Sequence, residues 1–359
     1  MSIVLPFKPA SLGIVATSPH QKFGRFFMKW LLRLLAITLP IFIAESAGAV
    51  GFQYLSIPDD TGRPIELGIW YPSNSITAPT TLGDVAQTVA VNGEIAGDHL
   101  PMVIFSHGSA GRFTDRSESA LVLAKAGFVA VSLTYPGDNY KDSGDKVVQI
   151  LLNRPRQTSR VLDYMMQTWP GRDHLEKSEI GFYGFSAGGF TGLVAIGGTP
   201  DWKLFPVHCA ADPLEGVCQQ GSAAVLSRPQ VAARPVSEWQ HDARIKAAVL
   251  VSPGWAFSFD PSSLSKIKIP VELWGGSEDH VVPFESNVGY LQRYLPHVIA
   301  VHDVKDARHY SFLKPCSEAA RALNLEICSD QPGFDRVAFQ ESLNRDLVRF
   351  FRSELATDK

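Results

Sequence analysis

Apolar residues recur along most of this chain in two patterns that alternate with each other. Short apolar runs predict buried strands at Leu100–Phe105, Phe128–Leu133, Ile180–Tyr183, Ala247–Val251, Val271–Trp274 and Val298–Val301. Apolar positions at helical spacing predict helices at Ser117–Ala126, Arg154–Trp169, Gly189–Ile196, Glu285–Tyr294 and Phe334–Phe351. This alternation, with largely apolar central strands, is typical of an α/β fold with a mainly parallel sheet and helices on both faces.

Three segments depart from this alternation. Phe52–Pro58 and Ile65–Tyr71 predict an N-terminal antiparallel hairpin at the edge of the sheet. Residues 73–98 are rich in Ser, Thr, Gly and Asn, and we expect a loop there. Residues 199–243 are long and rich in Pro and Ala, which predicts an insertion that caps one edge of the sheet rather than a second domain.

The amino terminus has the pattern of a targeting segment. Basic residues precede the apolar run 34–44, and Ala47-Gly48-Ala49 supplies the small residues that signal peptidase requires. We expect a signal peptide over residues 1–49, with Met28 as an alternative start, and one domain over residues 50–359. A retained membrane anchor is the alternative, but the run is short for a span and contains a proline.

Charge and composition exclude several classes of function. The 359 residues are 45% hydrophobic, which is enough for one large core, and the net charge is −3. Removing residues 1–49 deletes five basic residues and one acidic residue, leaving 28 against 35, or −7. Nucleic acid is therefore not an expected partner. There is no phosphate-binding loop, H-E-x-x-H motif or carboxylate cluster, so we expect no metal site and a metal-dependent hydrolase is disfavoured.

All four cysteines follow the predicted signal peptide. An even count in an exported chain predicts two disulfides, for which three connectivities are possible. We expect local pairing, Cys209 with Cys218 and Cys316 with Cys328. Buried free thiols are the alternative, whereas zinc is disfavoured because no C-x-x-C or spaced histidine pair lies nearby.

The segment Gly184-Phe185-Ser186-Ala187-Gly188 lies between a predicted strand and a predicted helix. A serine on such a sharp turn has a strained backbone and an exposed hydroxyl. Small residues are needed two positions before and after it, because the strand and helix nearly touch there. We therefore expect Ser186 to be a nucleophile, and a structural Gly/Ser turn is the alternative.

A serine nucleophile needs a base that is itself oriented by a carboxylate. Asp279 follows the strand Val271–Trp274 and is the predicted acid, with Glu278 as second choice and a solvated turn as the alternative. His309 lies in the loop after the last predicted strand and is the predicted base. Other histidines fit this place less well, namely His280, His297 and His302.

An oxyanion needs two fixed backbone donors. The expected donors are the N–H groups of Ala187, at a helix N-terminus, and of Ser109, after the first parallel strand, with Gly108 next. His107 is expected to brace that loop rather than to act as a base. The aromatic residues near strand ends either line an acyl pocket or pack in the core; they are Tyr135, Trp255 and Trp274.

With these motifs in this order, the chain resembles the α/β-hydrolase superfamily over nearly all of its length after the signal peptide. More narrowly, it looks like the exported group related to dienelactone hydrolase and platelet-activating-factor acetylhydrolase. Three segments carry that resemblance, namely Ile69-Trp70-Tyr71-Pro72, Phe105-Ser106-His107-Gly108 and Tyr135-Pro136-Gly137-Asp138. Dienelactone hydrolases proper use a cysteine nucleophile, and Ser186 departs from that pattern.

The resemblance implies a cofactor-free serine esterase with Ser186, Asp279 and His309 as triad, and Ser109 and Ala187 as oxyanion donors. We expect a periplasmic or secreted enzyme whose partner is a small ester of short-to-medium acyl length, with no stable membrane span after signal cleavage. An amidase or peptidase with the same triad is one alternative. A non-catalytic binding protein on a hydrolase scaffold is another.

Overall fold

The structure, a computed structural model, describes residues 48–219, 221–323 and 325–355. Except for Gly48 and Ala49, the predicted signal peptide lies outside the described residues. The strands of the described ranges are β1 (Ala49–Pro58), β2 (Pro64–Ser73), β3 (Ala78–Leu82), β4 (Val85–Val91), β5 (Leu100–Ser106), β6 (Val129–Thr134), β7 (Leu175–Phe185), β8 (Ile245–Val251), β9 (Val271–Gly276) and β10 (Val298–Val304).

The strands form one sheet in the order β10-β9-β8-β7-β5-β6-β2-β1-β4-β3. From β10 to β6 all neighbours pair in parallel, whereas β2 is antiparallel to both β6 and β1. The mainly parallel sheet predicted from the apolar runs is therefore confirmed. The register aligns the strand ends, since Ser106 pairs with Gly184 and Phe185 pairs with Val251. The loops that follow these strands consequently emerge at one edge.

The prediction for residues 73–98 was wrong. They contain β3 and β4, an antiparallel hairpin that pairs with β1 through Gly51 and Phe52. The hairpin of β1 and β2 therefore lies inside the sheet and not at its edge. Val85, Gln87 and Val89 alternate along β4, and Gln87 accepts a hydrogen bond from the Trp70 indole at 2.9 Å. A buried polar side chain weakened the apolar alternation on which the prediction rested.

The helices of the described ranges are α1 (Ser117–Lys125), α2 (Val147–Gln167), α3 (Ala187–Ala195), α4 (Leu204–Ala211), α5 (Gly216–Gln219), α6 (Gly221–Leu226), α7 (Pro229–Ala232), α8 (Pro261–Leu264), α9 (Val288–Tyr294), α10 (Glu318–Ala322) and α11 (Arg336–Leu355). Helices α2 and α3 bury their apolar faces in one core layer, and α1 and α11 bury theirs in another. Alternate residues of the strands belong to these two layers, for example Ile104 to the first and Val103 to the second. The sheet therefore has helices on both faces, as predicted.

Residues 199–243 contain the four short helices α4 to α7. Their buried side chains Phe205, Val217 and Leu226 join the same apolar layer as α2 and α3. The insertion therefore packs on the main core. The cysteines pair locally as predicted, Cys209 with Cys218 (the first disulfide) and Cys316 with Cys328 (the second disulfide).

Candidate active site

Ser186 is the single residue between the end of β7 and the start of α3, and its backbone is strained, with φ 55° and ψ −118°. Positive φ in a non-glycine residue costs free energy and persists only where the surroundings enforce it. The close approach of strand and helix provides that constraint. A Cβ on Gly184 would overlap the carbonyl oxygen of Gly188, and one on Gly188 would overlap that of Ser106. The expected need for small residues at both positions is confirmed.

The structure brings Ser186, His309 and Asp279 together. The Ser186 Oγ lies 3.0 Å from His309 Nε2, and His309 Nδ1 lies 2.8 Å from Asp279 Oδ2. His309 and Asp279 are 4% and 3% exposed, so water competes little for these hydrogen bonds. The other oxygen of Asp279 accepts the backbone N–H groups of Val281 at 3.0 Å and Val282 at 2.7 Å. A carboxylate held in this way remains an acceptor facing the imidazole.

The competing residues lie elsewhere. Glu278 accepts a hydrogen bond from Gln331 at 3.4 Å, and the imidazole of its neighbour His280 is 84% exposed. His302 stacks on Trp274 with ring centroids 3.6 Å apart, and His297 is exposed. None of these side chains contacts Ser186 in the described part of the chain.

The His309 segment is held from several sides. His309 begins a short 3-10 helix, His309–Phe312, and its ring packs on Phe185 with centroids 4.9 Å apart. The Ser311 hydroxyl donates to Asp330 at 2.6 Å, and the Gln340 side chain of α11 donates to the Ser311 carbonyl at 3.0 Å. The base is therefore anchored to the last helix described.

The two expected oxyanion donors belong to segments that meet at Ser186. Ala187 opens α3, where the positive end of the helix dipole favours negative charge. Ser109 follows Gly108, and a Cβ on Gly108 would lie 3.5 Å from that of Ser186. Among the residues described, neither the Ser109 nor the Ala187 N–H has a protein acceptor.

His107 is fully enclosed behind this loop, and burial together with the nearby Arg154 charge holds its pKa well below the usual range. Its Nε2 accepts the Tyr135 N–H at 3.2 Å, and its Nδ1 lies 2.5 Å from the Gly108 carbonyl oxygen. His107 braces the loop, in line with its sequence context.

Arg154 was missed, because an arginine on an amphipathic helix is normally exposed. Its signal in the sequence was its place just after the apolar residues Ile150, Leu151 and Leu152.

The three aromatic candidates divide between packing and the site. Tyr135 is fully buried and donates to Ser106 at 2.9 Å, and Trp274 is buried with its indole donating to Glu272. Trp255 is half-buried in the loop after β8, beside Gly254, whose N–H donates to the Ser186 carbonyl at 3.0 Å. Trp255 is therefore the candidate that adjoins the nucleophile.

A cavity of about 270 Å³ adjoins His309. It is lined by residues of the acid loop, the base loop and the loop of the second disulfide, including His280, Arg308, Tyr310, Glu326 and Ser329.

Within the described ranges no three His, Cys, Asp or Glu side chains form a group that could hold a metal ion. No helix in those ranges is long and apolar enough to cross a membrane.

Comparison with known proteins shows the fold. No family model and no curated protein matches the chain. Many solved structures do. One is the ferulic acid esterase from Streptomyces cinnamoneus, with a TM-score of 0.58 and 16% identity over 86% of this chain and 90% of that one. Together with the sheet order and the turn at Ser186, this likeness identifies the α/β-hydrolase fold.

Proposed function

We propose that this chain is a serine hydrolase that cleaves carboxylic esters through an acyl-enzyme intermediate. The observation that carries the proposal is the continuous hydrogen-bonded line from Ser186 Oγ through His309 to Asp279. A serine hydroxyl is a weak nucleophile unless an adjacent base removes its proton. Here the base lies at hydrogen-bonding distance, and its far nitrogen faces a carboxylate.

The proposed mechanism follows from this geometry. Asp279 accepts the Nδ1–H of His309, which leaves the Nε2 lone pair facing Ser186. As Ser186 Oγ attacks the ester carbonyl carbon, Nε2 takes the hydroxyl proton and then passes it to the leaving alcohol. Water attacks the resulting acyl-enzyme by the same route, and the acid is released. The N–H groups of Ser109 and Ala187 stabilise the oxyanion in both steps, each contributing a factor of about 100 to 1,000 in kcat.

The substrate class is inferred from the similar solved structure and from the insertion. The similar solved structure is of a ferulic acid esterase, which favours ester chemistry over amide chemistry for this site. We propose esters of short-to-medium acyl length, because the described insertion has four short helices and no extensive apolar lid. The half-buried Trp255 beside the Ser186 turn offers an apolar surface to the acyl group.

The two disulfides favour an oxidising compartment. We therefore propose that the enzyme acts in the periplasm or outside the cell, after removal of residues 1–49. Its substrate would be a small molecule, and no nucleic acid takes part.

A fluorophosphonate probe and a panel of nitrophenyl esters test the function. The probe should form an adduct on Ser186 of the folded protein, and Ser186→Ala should lose both the adduct and at least about a thousandfold in kcat. The panel should vary the acyl chain length and include a hydroxycinnamate ester. Turnover that survives in Ser186→Ala, or the absence of any adduct, would refute the proposal and favour a non-catalytic scaffold.

A further inference from the structure

Arg154 of α2 is a buried cation outside the proposed catalytic groups. Only 1% of its side chain is exposed. Removing a charge from water costs several kcal/mol unless the charge is paired and hydrogen-bonded. Its partners all belong to the loop that carries Ser109 or to the segment packed against that loop.

Three contacts define the environment of the guanidinium. Its Nη2 donates to the carbonyl oxygen of His107, and its Nη1 lies 3.4 Å from Asp138 Oδ2. Its Cζ lies 4.2 Å from the centroid of the Tyr135 ring, in a cation–π arrangement. The other oxygen of Asp138 accepts the Ala110 N–H at 3.0 Å. Arg154 thus reaches the loop directly at His107 and through Asp138 at Ala110.

The hydrogen-bond network assigns one tautomer to His107. Because Nε2 accepts the Tyr135 N–H, the ring hydrogen resides on Nδ1 and is donated to the Gly108 carbonyl. The positive charge of Arg154, whose Nη2 lies 3.2 Å from Nδ1, opposes a second proton on this ring. The imidazole therefore stays neutral and keeps the same donor facing Gly108.

These bonds determine where the loop's own donors point. In a trans peptide the C=O and N–H groups point in opposite directions. Arg154 holds the His107 carbonyl, which turns the Gly108 N–H away from the guanidinium. The imidazole of His107 donates to the Gly108 carbonyl, so the Ser109 N–H, on the opposite side of that peptide, points away from the imidazole. A rotation of the Gly108–Ser109 peptide would remove the Ser109 donor from the oxyanion site.

We propose that Arg154 is a positioning residue for oxyanion stabilisation: it clamps both ends of the Gly108–Ser109 segment so that its N–H groups stay directed at the oxyanion beside Ser186. The inference rests on the proposed esterase function. Arg154 touches no reacting atom and acts through His107 and Asp138. Its loss leaves the Ser186–His309–Asp279 line intact and weakens only the stabilisation of the oxyanion.

The ratio of the hydrolysis rates of an ester and the matching thionoester tests this role. A residue that only stabilised the fold would leave that ratio unchanged when replaced. Sulfur accepts hydrogen bonds poorly, so an intact oxyanion site favours the ester over the thionoester. In Arg154→Met we expect kcat for the ester to fall by about 10- to 100-fold, with KM changed by less than about threefold. We expect the ester-to-thionoester rate ratio to fall by about tenfold.

The matched control is Arg244→Met. Arg244 is ion-paired to Asp163 of α2, the helix that carries Arg154, at 2.6 Å, and to Asp242, but it has no contact with the loop. This variant should lose stability and keep both kcat and the rate ratio. Arg154→Lys, which retains a cation but can reach only one of the two partners, should reduce the ratio by at least about threefold and serves if Arg154→Met does not fold.

The outcomes separate this inference from the proposed function. A wild-type protein that hydrolyses no ester and takes no fluorophosphonate would overturn the esterase proposal and this inference with it. An active wild type with an unchanged rate ratio in a folded Arg154 variant would overturn the positioning role alone. An equal fall of the ratio in Arg244→Met would also overturn it, because the effect would then reflect general destabilisation.

Discussion

Replacing Asp279 by asparagine tests the orientation of the proposed base. Oδ1 of Asp279 accepts two backbone N–H groups, from Val281 and Val282, so the oxygen of an asparagine would take that place. The NH₂ group would then face His309 Nδ1, which could only accept. The imidazole hydrogen would move to Nε2, and Ser186 would lose the acceptor for its proton.

The expected magnitude is a fall of roughly ten-thousandfold in kcat, the size seen when a triad histidine is held in the wrong tautomer. Stability should change little, because both backbone N–H groups keep an acceptor. Asp279→Ala would instead leave the buried Val282 N–H and the part-buried Val281 N–H without an acceptor, at a cost of about 1–3 kcal/mol in the free energy of unfolding for the buried donor. Initial rates with a nitrophenyl ester measure the first effect and urea unfolding measures the second.

Glu278→Gln is the matched control, because it changes the adjacent acid, whose side chain contacts Gln331 rather than His309. We expect kcat within about threefold of wild type for this variant. If Asp279→Asn kept more than about a tenth of the wild-type kcat, or if Glu278→Gln fell as far, the assigned tautomer and the choice of acid would both be refuted.

Three further predictions concern stability. Gly188→Ala should destabilise the fold by about 3 kcal/mol in urea unfolding, because its Cβ would overlap the Ser106 carbonyl; a loss below about 1 kcal/mol would contradict the close approach. Replacing both cysteines of the second disulfide by serine should cost about 3 kcal/mol, as expected for a closed loop spanning 12 positions, and an unchanged midpoint would contradict that. Burial alone would raise the pKa of Asp242, but hydrogen bonds from Arg244 and a serine hydroxyl lower that pKa from its ordinary value of 3.8. The ionised carboxylate therefore stabilises the folded state above the unfolded pKa, and this stabilisation is lost as the pH falls through the pKa of the folded state. Asp242→Asn should therefore lose less stability than wild type on acidification from about pH 5 to pH 2.

The sequence predicted the parts of the site that depend on local sterics. Gly184 and Gly188 are required where backbone meets backbone, and that requirement is visible in the residue types alone. The mainly parallel character of the sheet could be inferred because its central strands are almost wholly apolar.

Other features depend on contacts between distant segments. The hairpin of β3 and β4 carries a buried polar side chain, Gln87, which finds its hydrogen-bond partner Trp70 only in the folded state. Arg154 finds its partners 47 and 16 positions earlier in the chain, at His107 and Asp138. No pattern of apolar residues encodes a buried cation, since its partners become neighbours only after the sheet has formed.

The hydrogen bond between the His309 segment and α11 bears on the order in which the site is completed as the chain is synthesised. The segment that carries the base receives a hydrogen bond from Gln340, near the start of the last helix described. A nascent polypeptide that has emerged only as far as Phe312 would contain Ser186, Asp279 and His309 without this support. In the proposed esterase, the loop that carries the base would therefore be fully supported only after translation has passed residue 340.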